Sequence, residues 1–325
     1  MSTQAIRRIG VLTSGGDAPG MNAALRAVVR AGIYYDCEVY GISNGYSGLL
    51  SGEIAPLSLR SVSDILYRGG TVLKTSRCRE FETEEGVAHG AEMMRLFRLD
   101  ALVVIGGDGS LRGARDLPRH GVTVVGIPGT IDNDVGCTDY TIGYDTALNT
   151  VKDAIDKIKD TAYSHERCSL IEVMGNRAGY IALNCAIAGG AEACLLPEKE
   201  LDIDADVVRP LLGCRSRGKK HFIIIAAEGV GRTEEIVARV KETVGITPTV
   251  SVLGYIQRGG SPTVRDRVMA SLMGVRAVES LLAGEGSRVV VSAAGKIDTI
   301  GLCEALEMKK SIDEHDILAS KILAL

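Results

Sequence analysis

Residues 101–110 read ALVVIGGDGS, a run of aliphatic and β-branched residues that ends in glycines. Residues 9–20 (IGVLTSGGDAPG) and 123–134 (TVVGIPGTIDND) repeat this pattern. The apolar residues are consecutive instead of alternating with polar ones, which is typical of strands buried on both faces of a parallel sheet. Each stretch therefore predicts a buried strand that ends in a tight, glycine-rich turn.

The same pattern continues along the chain and predicts an α/β fold. Strands are predicted at Ile9–Thr13, Glu38–Ile42, Ala101–Ile105, Thr123–Ile127, Ser169–Val173, Ala193–Leu196, Phe222–Ala226, Thr249–Leu253 and Val289–Ser292. Helices are predicted at about 20–32, 61–68, 88–98, 144–161, 177–188, 205–217, 233–243 and 263–283. Alternating strands and helices imply right-handed crossovers and parallel sheets. Because the chain has 325 residues, we expect two doubly wound domains with largely parallel sheets.

The composition excludes several functional classes. The 37 basic and 41 acidic residues give a net charge of −4, and there is no Trp, which argues against a nucleic-acid binder. No apolar run approaches the roughly 20 residues of a membrane span, and the N-terminus lacks a signal-peptide core. The eight cysteines include no CxxC pair, which predicts reduced thiols and no zinc site. We therefore expect a soluble, cytoplasmic protein.

Three strand ends carry residues suited to phosphate chemistry, because ligands of such sheets bind beyond the carboxyl ends of the strands. Ser14–Gly20 precedes a helix, which Asp17 or a neighbour is expected to cap. The backbone amides of this stretch could bind a phosphate, and a simple tight turn is the alternative. Gly106–Ser110 places Asp108 among glycines, where it could hold Mg²⁺ beside a nucleotide phosphate. It lacks the Walker A ending, and a structural turn is the alternative.

The third strand end, Pro128–Asp134, carries paired carboxylates. Asp132 and Asp134 stand two residues apart beside the hydroxyl of Thr130, which suits a base and its electrostatic partner in phosphoryl transfer. An Asx-rich turn is the alternative interpretation.

Polar and basic residues also stand beside glycines at the remaining strand ends. They are Met174–Arg177, Glu228–Gly229 and Gly254–Pro262. Arg258, like Arg77 and Arg167 in predicted loops, could clamp a phosphate. A separate basic set comprises Arg26 and Arg30, on one helix face, and residues 217–221, which read RGKKH. This set indicates either solvated charge or a regulatory anion site.

Taken together, TSGGDAPGMNAA, GGDGS, PGTIDND, EVMG and GYIQRGGSP resemble the bacterial ATP-dependent 6-phosphofructokinases in order and spacing, over nearly the whole chain. The resemblance implies phosphoryl transfer from MgATP to the 1-hydroxyl of fructose 6-phosphate, a committed step of glycolysis. It also implies a cytoplasmic homotetramer, with sugar and effector sites that span subunit interfaces, and ADP or phosphoenolpyruvate as a possible effector.

The resemblance assigns four sets of residues. Asp132 is the expected base, supported by Asp134 and Thr130. The ATP site is expected at Gly16, Arg77, Cys78, Gly107, Asp108, Gly109 and Ser110, with Asp108 on Mg²⁺. The sugar-phosphate site is expected at Thr130, Ile131, Asp132, Met174, Gly175, Asn176, Glu228, Thr249, Tyr255, Ile256, Gln257 and Arg258, with Arg167 reaching in from a neighbouring subunit. Effector contacts are expected at Arg26, Arg30, Lys159, Gly190, Ala191, Glu192, Arg217, Lys219, Lys220 and His221.

By the same resemblance, residues 1–142 and 256–306 form an ATP-binding domain, and residues 143–255 and 307–325 form a sugar-phosphate-binding domain. Pyrophosphate-dependent relatives carry Asp in place of Gly109 and Lys in place of Gly129. Glycine at both positions indicates ATP as the phosphoryl donor.

The chain departs from the family pattern at substrate positions. Asn176 stands where an Arg usually follows EVMG, with Arg177 next, and Thr249 stands where a neighbouring subunit's Arg grips the 6-phosphate. Tyr255 replaces a His, Lys159 replaces an Arg, and Leu59 stands at another Arg position with Arg60 beside it. Two alternatives follow: a weakly active or regulatory paralogue, and a kinase of another sugar phosphate.

Overall fold

A computed structural model of the chain describes residues 6–325, which form two compact units. The first unit runs up to Thr146 and resumes over Arg258–Lys310, and the second comprises Ala147–Gln257 and Ser311–Leu325. None of the helices in the described part has the length and hydropathy required to cross a bilayer.

The strands and helices alternate along the chain. The strands are Arg8–Ser14 (β1), Glu38–Ile42 (β2), Ile54–Leu57 (β3), Ala101–Gly106 (β4), Thr123–Pro128 (β5), Cys168–Val173 (β6), Ala193–Leu195 (β7), Phe222–Ala227 (β8), Thr249–Val252 (β9), Arg288–Ala293 (β10) and Lys296–Gly301 (β11). The helices are Met21–Tyr34 (α1), Gly45–Ser51 (α2), Glu84–Leu96 (α3), Asp108–Ala114 (α4), Tyr144–Ser164 (α5), Tyr180–Gly189 (α6), Arg209–Ser216 (α7), Thr233–Val244 (α8), Val264–Leu282 (α9), Leu302–Glu307 (α10) and Glu314–Leu323 (α11).

The first unit contains a seven-stranded sheet in the order β11-β10-β5-β4-β1-β2-β3. Its pairs are parallel except for the outermost pair at each edge, β10 with β11 and β2 with β3. Every residue of β4 is buried, and β1 and β5 are nearly as enclosed, as the consecutive apolar runs predict. The second unit contains a four-stranded parallel sheet in the order β7-β8-β6-β9. The predicted α/β class with largely parallel sheets is confirmed.

The predicted helix at 61–68 is wrong, because this segment forms a series of turns. Val62 and Ile65 are buried and have helical spacing, but Asp64 lies between them with a φ of 55°, which interrupts a right-handed helix. The helix predicted at 205–217 begins instead as a π-helical turn at Asp204–Val208 and continues as α7.

The expected capping of the first helix by Asp17 is also wrong. The N-cap of α1 is Gly20, with a φ of 106°, and no side chain caps the helix. This positive φ explains the glycine, because a Cβ is strongly disfavoured in that conformation.

Candidate active site

The carboxyl ends of β1, β4 and β5 meet at one edge of the first sheet. Ser14 pairs in register with Gly106, and Gly106 pairs with Pro128. The three glycine-rich stretches that follow these strands therefore lie side by side. The loop that carries Arg77 and Cys78 adjoins them, since the Thr75 hydroxyl donates to the carbonyl oxygen of Gly15 at 2.7 Å. Arg77 is exposed, and Cys78 packs partly against the core of this unit.

Asp108 begins α4 directly after the Gly107 N-cap. Its carboxylate accepts a hydrogen bond from Arg112 Nε at 2.6 Å, and its side chain keeps 40% of its surface exposed. A Cβ placed on Gly109 would meet no described atom within 4 Å, so a larger residue fits here without a clash within the chain. Ser110 is buried, and its carbonyl oxygen accepts a hydrogen bond from the Tyr46 hydroxyl at 2.6 Å.

The loop after β5 folds back on itself and encloses its carboxylates. The Thr130 hydroxyl accepts the backbone N–H of Asp132 at 3.2 Å and donates to the Asp132 carboxylate at 3.4 Å. Thr130 and Asp132 are each only 8% exposed. The Thr141 hydroxyl donates to the Thr130 carbonyl oxygen at 2.7 Å, which fixes the loop from its far side.

Asp134 lies close enough to Asp108 for their charges to interact. Burial raises the pKa of Asp134, and the Asp108 carboxylate raises it further. Repulsion between two such carboxylates favours a cation between or beside them. Ile131, another expected substrate residue, has a fully buried side chain, so its backbone is the part that remains to contact a ligand.

Two residues that hold this loop are absent from the sequence-based assignment. The ammonium group of Lys310 donates to the carbonyl oxygens of Thr138 and Asp139 at 3.1 and 3.0 Å. Burial lowers the pKa of Lys310 to about 8. Lys310 stands in a short polar stretch after α10, and its spacing carries no signal of this contact.

The second missed residue is Asp266 in α9, which is fully buried. One carboxylate oxygen accepts the Tyr140 hydroxyl at 2.9 Å and the Gly143 N–H at 2.8 Å. The other accepts the backbone N–H and hydroxyl of Thr146 at 2.8 and 2.5 Å. Asp266 thus anchors both the end of the carboxylate-bearing loop and the first turn of α5.

Arg258 belongs to the first unit, and its guanidinium covers the Cα of Gly16 so closely that any Cβ there would overlap it. Arg258 Nη1 also donates to the Asp17 carbonyl oxygen at 3.2 Å. An expected nucleotide residue and an expected sugar-phosphate residue are therefore in contact at the end of β1.

In the second unit, further expected substrate residues gather at the carboxyl edge of the sheet, where Val173 pairs with Ala227. The backbone N–H of Asn176 donates to the Glu228 carboxylate at 2.8 Å. The Met174 amide donates to the side-chain oxygen of Gln257 at 3.1 Å, and Gln257 is fully buried. Gly175 has a φ of 143°. Tyr255 and Ile256 are 83% and 57% exposed, respectively.

Arg167 and Thr249 do not join that group. Arg167 directly precedes β6, and Thr249 pairs with Ser169 at the start of the same strand. Both therefore lie at the amino edge of the sheet, and both are exposed. Within one unit, they are separated from Met174 and Glu228 by the length of the strands, about 15–25 Å.

The expected effector residues divide between the two units. In the second unit, Lys219 forms an ion pair with Glu192, which is 3% exposed and also accepts the Ile223 amide at 2.6 Å. Lys159 donates to the Gly189 carbonyl oxygen at 2.7 Å, beside Gly190 and the buried Ala191.

Lys220 and His221 have other partners in the same unit. Lys220 pairs with Glu166 at 2.8 Å on the surface, and the His221 ring meets Tyr163 edge-on. In the first unit, burial lowers the pKa of Arg26, and the nearby Arg30 lowers it further. Two guanidinium groups that repel each other on one helix face favour an anion.

Comparison with known proteins identifies the family. The sequence profile described as Phosphofructokinase matches residues 8–281. The chain belongs to the phosphofructokinase family. The membership predicted from the five motifs is confirmed, and the described sheets are those of a phosphofructokinase.

Curated relatives match this chain over nearly its whole length. A protein of Bacillus velezensis named ATP-dependent 6-phosphofructokinase is 56% identical over 320 residues, which are 98% of this chain and all of the relative. A protein of Clostridioides difficile with the same name is 52% identical with the same coverage.

Solved structures share the fold. The phosphofructokinase of Saccharomyces cerevisiae superimposes with a TM-score of 0.87 at 34% identity. The alignment covers 98% of this chain but 48% of the yeast chain, so this chain spans about half of that protein. A pyrophosphate-dependent phosphofructokinase from Marinobacter aquaeolei gives a TM-score of 0.84 at 23% identity, which supports the fold alone.

Proposed function

We propose that this protein is an ATP-dependent 6-phosphofructokinase, which transfers the γ-phosphoryl group of MgATP to the 1-hydroxyl of fructose 6-phosphate. The products are fructose 1,6-bisphosphate and ADP. The observation that carries this proposal is the 52–56% identity, over the full length, to relatives that bear that name. The clustering of GGDGS and PGTIDND at one sheet edge supports it.

We assign the ATP phosphates to the glycine-rich ends of β1 and β4. Gly107 and Gly109 present bare backbone beside the N-terminus of α4, where amide groups favour negative charge. Arg77 is exposed next to these loops and would contact the nucleotide from the adjoining segment. The open space around Gly109 leaves room for a phosphate chain.

The residues at this edge fit Mg²⁺. Asp108 supplies one accessible carboxylate, and Mg²⁺ commonly takes one or two carboxylates while phosphate oxygens and water complete its shell. In the described residues, no group of three or more His, Cys, Asp or Glu side chains is arranged to hold a metal ion. Asp134 lies nearby, where burial raises its pKa and the Asp108 carboxylate raises it further. When bound, the ion would neutralise charge on the transferring phosphoryl group.

We assign Asp132 as the base. The contacts with Thr130 fix the carboxylate in a buried loop, so it is oriented before the acceptor hydroxyl arrives. As the 1-hydroxyl oxygen forms its bond to the γ-phosphorus, the bond from that phosphorus to the β–γ bridging oxygen breaks and releases ADP, and the hydroxyl proton passes to the Asp132 carboxylate. Asp134 and Thr130 support that carboxylate electrostatically and by hydrogen bonding.

We propose that the protein is a cytoplasmic homotetramer and that a neighbouring subunit completes the binding site of the sugar 6-phosphate. Met174, Asn176 and Glu228 lie at the carboxyl edge of the second sheet, whereas Arg167 and Thr249 lie at its amino edge. In the proposed tetramer, a second copy of the chain would bring Arg167 and Thr249 to this edge. The basic residues around Lys219 would bind an anionic effector such as ADP or phosphoenolpyruvate.

An Asp132→Asn substitution tests the assignment. It removes the proton acceptor and leaves the nucleotide contacts in place, so kcat should fall by at least about 100-fold while the Kd for MgATP changes less than about twofold. Asp316→Asn, an exposed carboxylate in the second unit, is the control and should retain kcat. A wild-type kcat in Asp132→Asn would show that another group accepts the proton.

A further inference from the structure

The segment that carries Arg77 has no regular secondary structure. Residues 58–79 form neither a helix nor a strand, and they connect β3 to a 3₁₀ turn at Glu80–Glu82. Because no helix or sheet ladder fixes this backbone, its course depends on hydrogen bonds from neighbouring elements. Arg77 is exposed on this segment, so its placement beside the glycine-rich loops depends on the same hydrogen bonds.

Thr13 supplies one such contact from the carboxyl end of β1. Its side chain is fully buried, and its hydroxyl donates to the carbonyl oxygen of Lys74 at 2.8 Å. A hydroxyl has one proton, so Thr13 is the acceptor in its second contact, with the Thr71 hydroxyl at 2.9 Å. Thr71 and Lys74 are the first and last residues of a tight turn, in which the Lys74 N–H donates to the Thr71 carbonyl oxygen at 3.1 Å. One buried hydroxyl therefore holds both ends of this turn.

Lys74 needs such a contact because of its backbone conformation. Its φ is 59°, in the left-handed region that few residues other than glycine adopt. A conformation of this kind persists where the surrounding structure holds it. Arg77 follows three positions later, and between them the Thr75 hydroxyl donates to the carbonyl oxygen of Gly15 at 2.7 Å. The turn at residues 71–74 therefore sets the direction from which the chain reaches Arg77.

Asn22 holds the same turn from a second element. Its side chain is 1% exposed, and its Nδ2 donates to the carbonyl oxygens of Arg68 and Gly69 at 3.1 and 3.3 Å. Its Oδ1 accepts the N–H of Val72 at 2.8 Å. Asn22 is the second residue of α1, the helix that directly follows the first glycine-rich loop. Thr13 and Asn22 therefore stand on either side of that loop in the chain, and both fasten the segment of Arg77 to it.

We propose that Thr13, supported by Asn22, is a positioning residue for phosphoryl transfer, which acts by holding Arg77 where it contacts the nucleotide. The inference rests on the proposed function, in which Arg77 contacts ATP. The Thr13 side chain is enclosed by protein, and its one proton is used by Lys74, so its effect on the reaction passes through Arg77. A guanidinium that is held in place before the nucleotide arrives loses less freedom on binding.

A double-mutant cycle tests the connection between Thr13 and Arg77. Thr13→Val keeps the shape of the side chain and removes the hydroxyl, so kcat/KM for ATP should fall at least about fivefold. Thr13→Ser keeps the hydroxyl and should stay within about twofold of wild type. In the Arg77→Ala background, Thr13→Val should cause a further loss of less than about twofold, because the group that it positions is already gone.

Thr299→Val is the matched control for this cycle. It removes another buried Thr hydroxyl of the first unit, on β11, and should keep the kcat/KM of wild type. An equal loss from Thr13→Val in both backgrounds would show that Thr13 does not act through Arg77, and would overturn the proposal. A wild-type kcat/KM in the single variant Thr13→Val would also overturn it.

Limited proteolysis of the nucleotide-free protein reads the turn without any assay of activity. Trypsin cleaves after Lys74 and Arg77, which are both exposed. Thr13→Val should raise the rate of cleavage at these two sites at least about threefold, and Thr299→Val should not raise it. Unchanged cleavage in Thr13→Val would contradict the proposal. A wild-type protein without ATP-dependent activity would contradict the proposed function itself, whereas these cleavage rates would still show whether Thr13 holds the turn.

Discussion

A carboxylate introduced at position 109 should weaken the use of ATP without disturbing the fold. A Cβ on Gly109 meets no described atom within 4 Å, so Gly109→Asp creates no clash within the chain. Position 109 is the second residue of α4, where an acidic side chain is compatible with the helix dipole. The melting temperature should therefore change by less than about 3 °C.

The expected weakening of ATP binding is electrostatic. A carboxylate about 5 Å from a nucleotide phosphate, at an effective dielectric constant of about 20–40, costs about 2–3 kcal/mol. This energy corresponds to a rise of roughly 25- to 150-fold in the KM for ATP, measured by a coupled ADP-release assay. The KM for fructose 6-phosphate should stay within about twofold of the wild-type value.

Gly109→Asn separates charge from shape, because it adds a side chain of nearly the same size without the charge. We expect its KM for ATP to rise less than about fivefold. The reasoning is refuted if Gly109→Asp leaves the KM for ATP unchanged, since Gly109 would then not face the nucleotide. An equal rise in the KM for ATP in the Asp and Asn variants would show that steric exclusion, and not charge repulsion, weakens the binding of ATP.

Three further predictions concern residues placed by the structure. Thr249→Arg should lower the KM for fructose 6-phosphate by roughly 5- to 30-fold, because it restores one charged contact worth about 1–2 kcal/mol. The control Val250→Arg, at the neighbouring position of β9, should not lower the KM. An equal or higher KM in the Thr249 variant would contradict the proposed contact with the 6-phosphate. Asp266→Asn should lower the free energy of unfolding, measured in urea, by about 2–5 kcal/mol, because two Thr146 donors lose their buried acceptor. A loss below about 1 kcal/mol would show that these donors find another acceptor. The pKa of Lys310 is lowered to about 8 from the ordinary 10.5, so between these values the unfolded chain binds more protons than the folded one, and the contribution of Lys310 to stability rises with pH. Lys310→Met should therefore lose more stability relative to wild type at pH 10 than at pH 7. The opposite slope would mean that the ammonium form is the one favoured by the fold.

The parallel core of the fold could be predicted because its strands are apolar on both faces. Strands β4 and β5 are recognisable in the sequence for that reason. Because they pair in parallel, their carboxyl ends lie at the same edge of the sheet. Edge strands lack this signal. Strand β3 contains Pro56 and is half exposed. Strand β11 carries the charged residues Lys296 and Asp298 after the turn at Ala294 and Gly295, so neither strand was predicted.

The site could be predicted where a motif carries its own chemistry, as Asp108 and Asp132 do. Lys310 and Asp266 carry no such local signal. Their hydrogen bonds join residues 120–172 positions apart, and only tertiary structure brings them to the loop of Asp132.

The most direct test of the proposed activity is an assay of the purified protein with fructose 6-phosphate and Mg²⁺, supplied in turn with ATP and with pyrophosphate. The account predicts stoichiometric fructose 1,6-bisphosphate and ADP with ATP, and a rate with pyrophosphate at least about 100-fold lower, because Gly109 and Gly129 suit a nucleotide. Comparable turnover with pyrophosphate would contradict the assignment of the donor. No phosphorylation of fructose 6-phosphate with either donor would contradict the proposed function itself.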